Sequence, residues 1–200
     1  MTSDVIVGNV FDKYGSRNPI YRRVVEGYFR QLEDFLGRTR ARRVLEVGCG
    51  EGFVSGWLSA RTSNAEVIAL DLSAAMLREA RRAYHAVRFV AGDGYSLPFA
   101  EGSFDLVVCL EMLEHLERPQ DVLREARRVS RRFLITSVPR EPIWRVLNVA
   151  RGAYWPRLGN TPGHVQHWNR RGLLDLLRRQ WVVQEVATPF PWMMALCRRE

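Results

Sequence analysis

Three glycines at alternate positions, Gly48, Gly50 and Gly52, follow directly on the apolar run Val44-Leu45-Glu46-Val47. Glycine lets a chain turn sharply and lets a ligand lie against backbone with no Cβ between them. With a strand before the turn and a helix opening at Phe53, the turn offers unpaired N–H groups at the positive end of that helix. Asp71 stands 23 residues after Gly48, at the end of a second expected strand. A carboxylate there can accept both hydroxyls of a ribose. Its alternative role is that of an acid favoured by a helix N-terminus. Three histidines, His115, His164 and His167, are candidate proton acceptors near neutral pH. Each reads equally well as a hydrogen-bonded structural residue, and His85, which closes a helix, reads as a surface residue. His164 and His167 also pair as metal ligands, but no third ligand suggests itself, so no metal is expected.

The spacing narrows the ligand. A dinucleotide fingerprint, G-x-G-x-x-G, would require its third glycine at residue 53, which is Phe53. A G-x-x-x-x-G-K-[ST] phosphate loop is absent from the sequence. The pattern is Glu-x-Gly-x-Gly-x-Gly over Glu46, Gly48, Gly50 and Gly52, with Cys49 inside the turn. A tight strand-to-helix turn with no ligand, or a site for another nucleotide, would produce the same glycines.

The elements that position these residues alternate between strand and helix, as in a parallel sheet. Asn18-Pro19 opens a helix in which Tyr21, Val24, Val25, Tyr28, Phe29, Leu32, Phe35 and Leu36 recur at helical spacing, with Gly37 as its stop. Strands are expected at 43–47, 66–71, 87–90, 104–110 and 133–138, and a final pair at about 181–187 and 192–197. Helices are expected at about 53–61, from Ser73, at 119–130, and around Leu173–Leu177. Residues 139–168 break the rhythm with prolines, glycines and aromatics. The expected architecture is α/β: a Rossmann-like, seven-stranded, mostly parallel sheet with helices on both faces and a C-terminal antiparallel hairpin. One domain over residues 1–200 is expected.

The glycine turn resembles motif I of the class I S-adenosylmethionine (SAM) dependent methyltransferases. Ser96-Leu97-Pro98-Phe99, Ser103-Phe104-Asp105 and Glu114-His115-Leu116 resemble stretches of the ubiquinone/menaquinone-biosynthesis type of that family. Together the likeness covers about residues 43–138. It departs from the family before the fifth strand, where Val129-Ser130-Arg131-Arg132 replaces a Pro-Gly-Gly turn.

The resemblance implies SAM as the cofactor, with Glu46, Gly48, Cys49, Gly50 and Gly52 forming the turn that receives it and Asp71 holding its ribose. Gly92, Asp93 and Gly94 then lie by the adenine, where Asp93 accepts the exocyclic amine and Gly94 gives backbone access. The other reading of Asp93 is an Asp-Gly turn residue. Leu72 and Met76 flank the adenine or serve as core residues. Leu110 and Glu111 border the methionine part, and His115 lies near the reacting methyl. Residues 1–40, with Tyr14, resemble the N-terminal helical lid that folds over the cofactor in small-molecule methyltransferases, and the resemblance makes residues 139–168 an insertion on the substrate side. The implied reaction is direct displacement at the sulfonium methyl, with His115, His164 or His167 as a general base where the acceptor needs one.

Two hundred residues, 46% of them hydrophobic, suit one folded domain. No apolar run of 18 residues is present, and the N-terminus lacks a signal pattern. Cys49, Cys109 and Cys197 stand far apart with no C-x-x-C pair, which points to a reducing cytoplasm. The net charge of +8 is uneven: residues 1–117 carry −2 and residues 118–200 carry +10. That asymmetry suits an anionic partner or an ordinary basic surface. A small or lipid-like acceptor is expected, with cytoplasmic location and peripheral membrane contact through the Trp- and Arg-rich stretch 143–155 left open. Nucleic acid is not favoured as a partner, since no recognised binding motif is present. Two rival functions stay open: methylation of RNA or protein, and a SAM-binding partner subunit without activity. Oligomeric state is not legible.

Overall fold

The computed structural model describes residues 18–62 and 64–200. The first helix, α1, spans Pro19–Thr39 and is capped by Asn18, whose side chain accepts the Ile20 and Tyr21 N–H groups. It runs past Gly37 and ends where Arg40 turns left-handed. Gly37 is therefore not the stop, because a glycine in the αR region can continue the helix at a cost of about 1 kcal/mol.

Seven strands form one sheet. They are β1 (Arg43–Val47), β2 (Glu66–Asp71), β3 (Arg88–Ala91), β4 (Phe104–Leu110), β5 (Ser130–Pro139), β6 (Val182–Ala187) and β7 (Trp192–Arg198), in the order β3-β2-β1-β4-β5-β7-β6. The first five run parallel, and β7 pairs antiparallel with both β5 and β6. Strand β5 starts three residues earlier than its apolar run, because Ser130 pairs with Phe104 across an irregularity in the β4 register.

Alternation along the strands builds two cores. Val44, Val67, Ala69, Leu106, Val108, Ile135 and Leu196 face one side. They pack on α1, on α2 (Phe53–Arg61) through Val54 and Leu58, and on α3 (Ala74–Ala83) through Leu77 and Ala80. Leu45, Val47, Ile68, Leu70, Val107, Leu134 and Cys197 face the other. There they meet α4 (Pro119–Val129) through Leu123 and Ala126, and α6 (Arg170–Leu177) through Leu173 and Leu177. Full burial of side chains this size contributes about 1.5–3 kcal/mol each.

The loop before β4 is latched by polar groups. Arg128 donates to the carbonyls of Phe99 and Leu97, and Glu125 accepts the Leu97 N–H. Asp105 accepts the N–H groups of Arg42 and Arg43, fixing the entry into β1. The short helix α5 (Ile143–Ala150) lies within the irregular stretch after β5. Among the described residues no helix is long and apolar enough to cross a membrane.

Candidate active site

Parallel strands leave their carboxyl ends on one edge, and an open α/β sheet binds ligands there. The glycine turn sits at that edge, after β1. Gly48, Gly50 and Gly52 all adopt positive φ. The N–H groups of Gly48 and Cys49 both donate to the Leu70 carbonyl, tying the turn to β2. Asp71 completes the tie: Oδ2 accepts the Gly50 N–H at 2.8 Å and Oδ1 accepts the Ser73 N–H at 2.8 Å. A carboxylate has about four acceptor sites, so two remain for hydroxyls.

The glycines do different work. A Cβ on Gly48 would stand 2.9 Å from the Met112 side chain, and one on Gly52 would stand 2.8 Å from the Phe89 ring. A Cβ on Gly50 would meet only the Met76 Cε, at 3.4 Å. Gly50 is thus the most open of the three toward a ligand, while Gly52 admits α3 and β3. Gly94 is buried, and a Cβ there would stand 2.9 Å from Met112 Cε. Its missing side chain makes room for Met112. Gly92 likewise accommodates Leu70.

Glu46 turns inward. It is buried and accepts a hydrogen bond from the Ser55 hydroxyl, joining β1 to α2 beneath the turn. Burial pushes its carboxyl up to about 8, against the opposing pull of the Ser55 bond. The side chain therefore shapes the turn and does not present itself to a ligand. The Cys49 thiol is buried as well, so this residue offers its backbone. Leu72 is 61% exposed just beyond Asp71, which removes it from the core, and Met76 is half-buried beside Gly50. Asp93 accepts the Tyr95 N–H in a local turn and is otherwise exposed. Tyr14 and the rest of the expected lid before Asn18 lie outside the described residues.

Beyond β4, Glu111 holds a left-handed backbone with φ of 52°. Its Oε1 accepts the Ser137 hydroxyl at 3.0 Å and its Oε2 accepts the Trp192 indole N–H at 2.7 Å. Tyr28 of α1 reaches Ser137 at 2.7 Å. The Trp192 ring packs on Trp144 with centroids 5.8 Å apart, and Trp144 stacks over His164 at 6.3 Å. His164 meets His115 edge-on at 4.9 Å. A continuous chain of contacts therefore runs from Glu111 to His115. Leu110, buried at the end of β4, supports it.

His115 and His164 are brought together with Glu114, and His167 is not part of that group. Its Nε2 donates to Asn160 Oδ1 at 2.7 Å, while Asn160 Nδ2 donates to the His164 carbonyl. His167 is thus a brace for the loop. Sequence reading missed Glu114, Met112, Ser137 and Trp192. The adjacency of Glu114 and His115 was visible, but their meeting with His164 is a tertiary event. A cleft of about 350 Å³ lined by Glu33, Arg40, Arg42 and Arg61 lies at the opposite, amino-terminal edge of β1 and β2.

The sheet order and the glycine turn tied to Asp71 define an α/β protein of the class that binds nucleotide-like ligands at the carboxyl edge of its sheet. Residues 45–132 match the family model described as "Methyltransferase domain". The chain is 30% identical over 187 residues to the malonyl-[acyl-carrier protein] O-methyltransferase of Enterobacter lignolyticus, covering 88% of this chain and 71% of that protein. It is 30% identical over 137 residues to the ubiquinone/menaquinone biosynthesis C-methyltransferase of Dinoroseobacter shibae, covering 63% of this chain and 55% of that protein. The magnesium protoporphyrin IX methyltransferase of Synechocystis, solved with bound S-adenosylhomocysteine (SAH), superposes with a TM-score of 0.69 at 19% identity, covering 93% of this chain and 90% of that one. The chain belongs to the class I SAM-dependent methyltransferases, of the small-molecule, ubiquinone/menaquinone-biosynthesis-like type. SAM is the cofactor of this family.

Proposed function

We propose that the chain transfers the SAM methyl group by direct displacement to a small or lipid-like acceptor with an apolar body and a polar or anionic head. The glycine turn, Asp71, Asp93 and Glu111 hold the cofactor. Residues 139–168 form the acceptor side.

The observation that carries this reading is the contact chain Glu111–Trp192–Trp144–His164–His115 at the carboxyl edge of the sheet. It joins a cofactor-side carboxylate to two imidazoles through aromatic surface. Around it Trp155 is 63% exposed, and Val146, Leu158 and Val165 are exposed too, which offers apolar area. Arg151 and Arg157 are exposed nearby and supply charge.

The sulfonium is already a good leaving group, so the protein's work is alignment, which supplies about 7 kcal/mol or more in well-oriented reactions. Where the acceptor must lose a proton, His115 is placed to take it. Its Nδ1 faces the Gly163 carbonyl at 3.0 Å, which puts the proton on Nδ1 and the lone pair on Nε2. The similar proteins are named for an O- and a C-methylation, and both need the same alignment.

The test is methyl transfer from labelled SAM into fractionated material. Label should enter the small-molecule and lipid fraction, including thioester-linked acids and quinols. Label entering only RNA or protein would overturn the reading.

A further inference from the structure

We propose that Glu114, His115 and His164 form a binding site for one divalent transition-metal ion, with Zn²⁺ as the preferred occupant. The donor atoms of the three side chains lie within 4.8 Å of one another. Two imidazoles with one carboxylate form a donor set that binds zinc and leaves a position open. Zinc ligands at about 2.1 Å in a tetrahedral set stand about 3.4 Å apart, so small side-chain rotations close the site.

The fold builds this group from two segments. Glu114 and His115 lie in the short 3₁₀ turn Leu113–His115 after β4. The Val165 and Gln166 N–H groups both donate to the Glu114 carbonyl, at 2.9 and 3.0 Å, which clamps the 163–166 loop against that turn. His164 is thereby delivered to the side of Glu114. The His115 Nδ1 contact with the Gly163 carbonyl is the outer-shell bond that metal-bound imidazoles commonly make, orienting the ring and leaving Nε2 as its lone-pair nitrogen. His164 is held between His115 and the Trp144 ring, and the Trp144 indole N–H is itself fixed on the Thr161 hydroxyl at 3.0 Å.

Burial adds to the case. Glu114 is 1% exposed and His164 is 8% exposed, so two of the three donor side chains are already held in place by the protein around them. His115 is exposed and gives the ion its way in. The sequence suggested pairing His164 with His167, which the fold separates; the third ligand comes from Glu114, 50 residues away. This inference deepens the proposed function at the same site and rests on that reading only for its consequence: with the ion bound, His115 Nε2 is a ligand in place of a proton acceptor, and the open position takes an acceptor oxygen and lowers its pKa so that solvent can take its proton.

The experiment uses the full chain dialysed against chelator, titrated with Zn²⁺ by calorimetry and with Co²⁺ by visible absorption. One Zn²⁺ per chain is expected, with Co²⁺ giving d–d bands of a low-coordinate nitrogen and oxygen site. His115→Ala, at the surface, and Glu114→Gln should each weaken Zn²⁺ binding by about tenfold or more, while His85→Ala leaves it unchanged. The three cysteines are buried, which keeps thiolate binding from imitating the result. No stoichiometric Zn²⁺ binding, or binding that His115→Ala and Glu114→Gln leave intact, overturns the site. SAH affinity measured on the same samples separates the two proposals. SAH binding without Zn²⁺ binding removes the metal alone, and loss of SAH binding in the wild-type chain removes the methyltransferase reading.

Discussion

The Trp192 indole N–H donates to the Glu111 carboxylate at 2.7 Å, across 81 residues of chain. The bond joins the start of β7 to the residue after β4, at the carboxyl edge of the parallel strands. Trp192→Phe keeps the ring and removes the donor. The Glu111 carboxylate then retains the Ser137 bond alone of these two. The expected outcome is a loss of about 1.5–3 kcal/mol in stability or SAH affinity, the scale of a hydrogen bond to a charged group. Denaturant melts and SAH titration read both, and an unchanged variant would remove Trp192 from the site.

Asp71 fixes the turn through Gly50 and Ser73, and the proposed function gives it a second task, receiving the ribose. Asp71→Ala should lower the thermal midpoint and weaken SAH binding by about 1.5–3 kcal/mol. A variant that melts earlier but binds SAH normally would confine Asp71 to the turn.

Gly48 and Met112 are coupled by space. Gly48→Ala places a Cβ 2.9 Å from the Met112 side chain at φ of 77°. The left-handed backbone alone costs about 1–2 kcal/mol. Met112→Ala relieves the contact but not the backbone strain. In a double-mutant cycle the pair should therefore be less destabilised than the sum, by about 0.5–3 kcal/mol. Strict additivity would mean that Met112 moves aside freely.

The fold was legible wherever apolar spacing was decisive. The short apolar runs at Val44–Val47 and Phe104–Leu110, and the helical repeat from Tyr21 to Leu36, needed no tertiary knowledge. Boundaries slipped where packing overrode local propensity, at Gly37 inside α1 and at Ser130 opening β5. The cofactor turn was legible because positive φ demands glycine. What each glycine admits was not, since Met112, Phe89 and Leu70 reach them from distant strands and turns. Glu114 was overlooked for the same reason, as its neighbours belong to the 163–166 loop.

Glu46 carries a pH dependence. Its folded value of about 8 lies above the ordinary carboxyl value of about 4.5, because burial penalises the ionised form. The folded chain therefore holds a proton that the unfolded chain releases between these values. The stability it contributes is fully present below about pH 4.5 and is lost as pH rises through about 8. Glu46→Gln cannot ionise, so its stability should gain on the wild type across that window. Parallel stability curves for the two proteins would contradict this.

The central claim is that the glycine turn and the His115–His164 group are two parts of one methyl-transfer site. Steady-state kinetics of His115→Ala and His164→Ala, with SAH affinity measured alongside, tests it most directly. The account predicts kcat lower by about 10²-fold or more in both variants with SAH binding unchanged. Wild-type turnover in both would contradict it.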